Sequence, residues 1–149
     1  ELMMKIKQQL AVVLMTLMST ATFAQEHIVE MLNNGDDGMM IFEPGFLKVE
    51  KGDTVKFLST DMGHNSVSSY VPEGAAAWNG ALNEEIVVTM DQEGVYIYKC
   101  TPHIALAMIG VIQVGNSTNK DAANSAAKEM KSKFMMSQER LEGYLAQVK

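Results

Sequence analysis

Cysteine is almost missing from this chain of 149 residues: there is one, Cys100, so no internal disulfide can form. Histidine and proline occur three times each and tryptophan once. No apolar run is long enough to span a bilayer, which takes about 20 residues. There is no phosphate-cradling glycine motif and no internal repeat, which leaves nucleotide-binding and repeat architectures without support. Positive charge is short as well. Twelve Lys and Arg stand against 18 Asp and Glu, for a net charge of −6, and this argues against a nucleic-acid or anionic-lipid partner. The length suits one domain with a real core.

The N-terminus carries an export pattern. Lys5 and Lys7 form a short positive region, Leu10 to Met18 an apolar stretch, and Thr22 and Ala24 place small residues where a signal peptidase reads. Met3 or Met4 reads as the initiator. Residues 1–24 are therefore expected to be a secretory signal and Gln25 the mature start. Losing Lys5, Lys7 and Glu1 with the leader makes the mature charge −7. No second hydrophobic span follows, so a product free of membrane anchor, outside the cytoplasm, is expected.

Short alternating stretches fill the next ninety residues. Strands are expected at His27–Leu32, Met39–Phe42, Phe46–Glu50, Thr54–Leu58, just after Asp61–Val67, Glu84–Met90, Gly94–Tyr98 and Ile109–Val114. Turn formers separate them, among them Asn33 to Gly38 and Lys51-Gly52-Asp53. Residues 70–82 read as a loop with one helical turn. About eight short strands at this spacing predict a mainly β, Greek-key sandwich over residues 25–115. After Gly115 the composition turns to alanine, lysine, glutamate and methionine. One helix is expected over Lys120–Phe134. A second is expected to be capped by Ser137, with Leu141, Tyr144, Leu145 and Val148 on its apolar stripe. Residues 116–149 thus read as a helical extension packed on the sandwich.

The stretch Cys100-Thr101-Pro102-His103-Ile104-Ala105-Leu106-Ala107-Met108 joins the last two strands. A thiolate, an imidazole and a thioether on one loop form a soft donor set that suits copper. Two histidines and a cysteine in a plane with a weak axial methionine make a blue-copper site, so one histidine has to come from elsewhere. His64 is the candidate: it lies in the loop after Thr54–Leu58, Gly63 would allow close backbone approach, and Asn65 offers a side chain able to reach the cysteine loop. His27, third in the expected mature chain, could bind Cu(II) with a free amine, but an N-terminal glutamine cyclises and removes that amine; a solvated histidine at a strand start is the simpler reading. The remaining methionines are scattered, unlike a methionine-rich copper carrier. A Cys100 nucleophile with a His103 base is poorly placed and lacks an acidic orienter, so an enzyme is not expected. Zinc suits Cys and His, but methionine is a poor zinc ligand.

Those residues resemble the cupredoxins, most closely the pseudoazurins. The similarity runs from about Ile28 to the end, through Glu30-Met31-Leu32-Asn33, Gly38 to Pro44, Gly52-Asp53-Thr54-Val55, Gly63-His64-Asn65, Pro72-Glu73-Gly74-Ala75 and Lys99-Cys100-Thr101-Pro102-His103, and it includes the C-terminal helices. The resemblance implies one copper ion held by His64, Cys100, His103 and Met108. It implies that Asn65 ties the two ligand loops and donates toward the sulfur, that Met40 lies near the exposed histidine, and that Pro102 withholds an N–H from the sulfur. It further implies a monomeric one-electron carrier of the bacterial periplasm, docking briefly with redox partners such as a cytochrome donor and copper nitrite reductase. A copper-carrying or storage role is the alternative. Docking is expected around His103, on Ile104, Leu106 and Lys99. The sequence departs from the family there. Ile104 to Ala107 replaces an aromatic followed by small residues and methionines, and Met62 and Asn34 stand where the family's ring of lysines is common.

Overall fold

The computed structural model describes residues 23–149, so all but the last two positions of the expected leader lie outside the described residues. Eight strands form two sheets. They are β1 (Glu26–Gly35), β2 (Gly38–Glu43), β3 (Phe46–Val49), β4 (Thr54–Leu58), β5 (Val67–Tyr70), β6 (Ile86–Thr89), β7 (Gly94–Lys99) and β8 (Ile109–Val114). One sheet has the order β2-β1-β4-β6 and the other β3-β8-β7-β5. Most neighbours are antiparallel, but β1 runs parallel to β4 and β3 parallel to β8. Neighbours that are not consecutive in the chain, such as β1 beside β4 and β5 beside β7, mark crossovers between the sheets, as in a Greek-key sandwich rather than a meander. Two helices follow, α1 (Lys120–Lys131) and α2 (Arg140–Leu145). No helix among the described residues is long and apolar enough to cross a membrane.

The burial pattern follows from side-chain alternation. In β4, Val55 and Phe57 are fully buried while Thr54, Lys56 and Leu58 are not, the period of two that a one-sided sheet requires. β7 and β8 break this rule because both their faces are covered. Tyr96, Tyr98, Ile112 and Val114 point into the inter-sheet core, and Val95, Ile97, Ile109 and Val111 pack outward against Ala123, Ala127, Leu141 and Leu145 of the helices. A strand buried on both faces reads as a continuous apolar run, as GVYIY and IGVIQV do.

The inter-sheet core is aromatic. Phe42 and Phe57 both meet Tyr98 edge-on, with ring centroids 4.7 and 4.9 Å away, and Trp78 stacks on Phe57 at 5.7 Å. Tyr98 sits over Gly110, its partner in the β7–β8 ladder, and a Cβ at Gly110 would strike the ring. The Tyr98 hydroxyl is buried with no hydrogen-bond partner among the described residues, and an unpaired buried polar group costs about 1–3 kcal/mol. Tyr98→Phe is therefore expected to leave thermal stability unchanged or raise it, by up to about 1 kcal/mol. A drop of more than that in urea unfolding would mean that the hydroxyl is satisfied in solution.

Local structure differs from expectation in five places, the first being β6, which spans Ile86–Thr89 against the expected Glu84–Met90. β1 continues to Gly35, because its far end pairs with β2 across the Gly35–Gly38 hairpin. Residues 71–85 hold turns and one isolated bridge, Val67 to Asn79, but no helical turn; Ser68 and Trp78 bond each other through backbone and hydroxyl instead. The first helix stops at Lys131, with tight turns carrying the chain to the buried Phe134. Ser137 is not a cap: α2 starts at Arg140 with no side-chain cap, and Ser137 has φ +48 and gives its carbonyl to the Arg140 N–H. Its left-handed backbone makes it the turn before the helix rather than the cap.

His27 is held at the strand start by Asp53. Its Nε2 lies 2.8 Å from Asp53 Oδ2, while the carboxylate also accepts the N–H groups of Gln25 at 2.9 Å and Glu50 at 3.1 Å. The Gln25 N–H, then the His27 ring, hold the Asp53 carboxyl below its ordinary value. The unfolded chain binds this proton more readily than the folded one. The stabilisation is thus complete above the unfolded carboxylate value of about 3.9 and drains away as pH falls through the lower folded value. Asp53→Asn is expected to flatten that acid limb of a stability-against-pH curve. An unchanged acid limb in the variant would assign the pH dependence to other carboxylates.

Candidate metal centre

β7 ends at Lys99, so Cys100 is the first residue past the ladder, and Met108 is the last before β8 begins. The ladder closes this loop at its base, with the Cys100 N–H on the Met108 carbonyl at 2.9 Å. Within the loop the Met108 N–H reaches the His103 carbonyl at 3.2 Å, and Ile104–Leu106 makes one 3₁₀ turn. The turn ends at Ala107 in the left-handed region, φ 55° and ψ 40°, which aims the chain back into β8.

His64 arrives from the loop after β4. The backbone there is pinned by Asn83, which accepts the Gly63 N–H on its side chain at 2.6 Å and donates its own N–H to the His64 carbonyl at 2.7 Å. Gly63 is needed for a different reason than expected. A Cβ there would meet nothing within 4 Å, so no close approach demands glycine; the backbone does, with φ +95. Asn65 bridges the two loops. Its Oδ1 accepts the Thr101 N–H at 2.8 Å, and its Nδ2 donates to Thr101 Oγ1 at 3.2 Å and to the Gly80 carbonyl at 3.1 Å.

Three donor atoms meet at this end of the sandwich. His64 Nδ1 lies 3.1 Å from His103 Nδ1 and 3.8 Å from Cys100 Sγ, and His103 Nδ1 lies 3.4 Å from the same sulfur. A point in their plane is about 2.0 Å from all three, which matches metal–imidazole lengths of about 2.0–2.1 Å and falls just short of the ~2.3 Å of a thiolate bond. His64 and Cys100 are fully buried and His103 is half-buried. Met108 is fully buried in the same core cluster as Cys100, and Met40 packs on that cluster. Among the described residues no carboxylate joins the group.

Asn33 is a functional residue that the sequence reading passed over as a turn former. Its Oδ1 accepts from His64 Nε2 at 2.9 Å. The oxygen can only accept, so Nε2 carries the proton and Nδ1 presents its lone pair to the site. The signal available was its place in the Glu30–Asn33 segment that carries the family likeness; spacing alone offered none.

Electrostatics suit a cation. Burial, and then the neighbouring His103, push the His64 imidazole down toward its neutral form. Burial likewise pushes the Cys100 thiol up, opposed by backbone hydrogen bonds from Asn65 and His103. A metal ion arriving among these atoms meets a neutral imidazole ready to bind, and its charge drives off the thiol proton. Sulfur, two imidazoles and a thioether form the soft, nearly closed set that selects copper.

The remaining expected residues fall around this core. Pro102 is exposed between Cys100 and His103. Lys99 and Ile104 share a shallow groove with Met130 and Lys133, and Ile104 packs on the helix-side cluster. Leu106 is half-buried. The large exposed apolar side chains near the two ligand loops are Met39, Met62, Leu82, Met135 and Met136.

Comparison with known proteins agrees with this geometry. Residues 29–115 match the family described as copper binding proteins, plastocyanin/azurin family. Pseudoazurin of Paracoccus pantotrophus is 40% identical over 129 residues, covering 85% of this chain and 86% of its own. This chain belongs to the pseudoazurins. The pseudoazurin of Methylorubrum extorquens is 36% identical over 141 residues, covering 93% and 91% of the two chains. The crystal structure of native pseudoazurin from Hyphomicrobium denitrificans superposes with a TM-score of 0.73 at 44% identity, covering 83% of this chain and 98% of that one. Pseudoazurins are electron-carrier cupredoxins rather than enzymes, and copper is the metal of the family.

Proposed function

We propose that this chain is a one-electron carrier in which His64, Cys100, His103 and Met108 hold a single copper ion. The observation that carries the reading is the donor triangle of His64, Cys100 and His103, whose centre lies about a metal–imidazole bond length from all three atoms. Bound copper would supply a couple between Cu(I) and Cu(II). The protein's part is to keep the donors still through that change. Asn33 fixes the His64 ring, Asn65 locks the two loops together, and the β7–β8 ladder fixes Cys100 against Met108. The four residues leave no open position of the kind that catalytic metals keep.

His103 is the one member of the triangle that reaches the surface, and we take it as the electron's port. Met62, inside the His64 loop, and Leu82, next to the Asn83 that pins it, are exposed, so docking is assigned to an apolar rim, with Leu106 and Lys99 at its edge. Redox encounters of this kind are small and brief. The mature charge of −7 favours a partner that is not strongly acidic. A periplasmic location after removal of residues 1–24, with a cytochrome donor and a copper nitrite reductase as partners, completes the reading; it is supported by the export pattern and the family.

The test is the visible spectrum and voltammetry of the protein, residues 25–149, with one equivalent of Cu(II). An intense thiolate-to-copper band near ~600 nm, as trigonal thiolate copper gives, with a reversible one-electron wave is the expected result. A strong band without reversible redox would favour metal carriage. A colourless protein would sink the electron-carrier reading and leave metal handling or an unrelated role for the fold.

A further inference from the structure

Arg140 opens α2 and is 9% exposed. Its guanidinium makes five hydrogen bonds, all to backbone carbonyl oxygens. Nη1 donates to Met40 at 3.1 Å, Leu106 at 3.3 Å and Ala107 at 2.9 Å. Nη2 donates to Asp37 at 3.2 Å and Met39 at 3.2 Å. No carboxylate of the described ion pairs belongs to it. A buried cation with neutral partners only is costly unless its donors are used, and here the N–H groups of Nη1 and Nη2 are taken up by carbonyls of two segments, the β1–β2 corner and the loop between His103 and Met108.

The carbonyls it chooses are unusual. Met40 and Ala107 are non-glycine residues with φ +50 and +55, and Ser137, which accepts the Arg140 N–H, has φ +48. They are three of the four such residues among those described. A left-handed backbone costs a residue with a Cβ roughly 1–2 kcal/mol and persists only where the surroundings impose it. Ala107 directly precedes Met108. The neighbouring carbonyl of Ala105 accepts the N–H groups of Met135 at 2.8 Å and Met136 at 3.3 Å. Three consecutive carbonyls of the loop, at Ala105, Leu106 and Ala107, are therefore all held by the C-terminal segment.

We propose that Arg140 is a positioning residue for the metal loop: its guanidinium holds Ala107 in the left-handed conformation and thereby sets where Met108 stands relative to Cys100, His64 and His103. The helical extension then acts on the centre as well as covering the sheet. The spectroscopic part of the test rests on the copper reading above; the metal-free part does not.

The experiment compares Arg140→Met, Arg140→Lys and a control, Leu145→Ala, which empties the same helix–sheet layer at a side chain that cannot hydrogen-bond the loop. In metal-free protein, Arg140→Met is expected to speed amide exchange at Ala107 and Met108 by about tenfold or more beyond the control at equal global stability. Arg140→Lys falls between, because a point charge cannot fill the fork. In wild type, loss of the guanidinium also lets Ala107 relax its backbone strain; Ala107→Gly removes that strain beforehand, so Arg140→Met should cost more stability in that background, a coupling that a double-mutant cycle reads. With copper bound, the intensity ratio of the thiolate bands should shift in Arg140→Met and stay put in Leu145→Ala. Equal exchange in the two variants, no coupling to Ala107 and an unchanged ratio would overturn the proposal and leave Arg140 as a pin between helix and hairpin. If Arg140→Met does not fold, Arg140→Lys carries the same comparisons. If wild-type protein shows no thiolate band, the copper reading fails, while exchange and coupling in metal-free protein still decide the role of Arg140.

Discussion

Cys100→Ala is expected to remove the thiolate-to-copper band entirely and to weaken copper binding by far more than the ~10–100-fold that loss of a supporting hydrogen bond costs a metal site. Among the described residues the sulfur is the only anionic donor at the site, since no carboxylate of theirs lies in the cluster. Without it two imidazoles and a thioether face the ion, and Met108 and His64 remain buried where water cannot fill in. The metal-free fold should scarcely notice, because Cys100 behaves there as a small buried side chain whose loss amounts to about 1 kcal/mol. The two effects separate cleanly in a thermal melt. Copper at a hundred times its dissociation constant stabilises the native form by about 2.7 kcal/mol, so the wild-type melt should move up on adding copper and the variant's should stay where it is. A variant that still gains stability from stoichiometric copper would show that the ion binds elsewhere.

Asn65→Ala should give the largest loss that does not touch a donor atom. The side chain is 8% exposed and makes three bonds, two to Thr101 and one to the Gly80 carbonyl. Removing it leaves the Thr101 N–H and the Gly80 carbonyl without their partner. Lost bonds of about 1 kcal/mol each, together with an orphaned buried group, predict a cost of roughly 2–4 kcal/mol in urea unfolding of metal-free protein. The same change unties the His64 loop from the Cys100 loop, and faster copper release to a chelator is expected with it. Full stability with unchanged release would mean that the β7–β8 ladder alone holds the loops in register.

What could be read from the chain follows the range of each interaction. The alternation of Val55 and Phe57 and the unbroken apolar runs of β7 and β8 are local, and they located those strands within a residue or so. The C-x2-H-x4-M spacing is also local, so three chemically apt residues could be assigned to one loop at sight. His64 needed the Gly-His-Asn context, because its neighbour in space is 39 residues away. Asn33 and Arg140 stayed hidden for the same reason carried further. Their partners lie 31 residues off for Asn33 and up to 103 for Arg140, and each sits where an ordinary reading, a turn former or a helix start, is sufficient. Ser137 misled because a serine before an apolar stripe is a common cap, whereas here its backbone is left-handed and its carbonyl accepts the Arg140 N–H.

The parallel pairing of β3 with β8 bears on when the centre can come into being. Residues 46–49 find their ladder partners only at 111–114, and the clamp on the loop waits for residue 140. Contacts of such long sequence separation form slowly, so the pocket is expected to appear late and all at once rather than ligand by ligand. Until then the lone thiol stands open to oxidants, and its oxidation beyond the sulfenic stage is irreversible. The yield of working carrier should accordingly be set by a race between chain closure and sulfur oxidation, with the strength of copper binding entering only after that race is won.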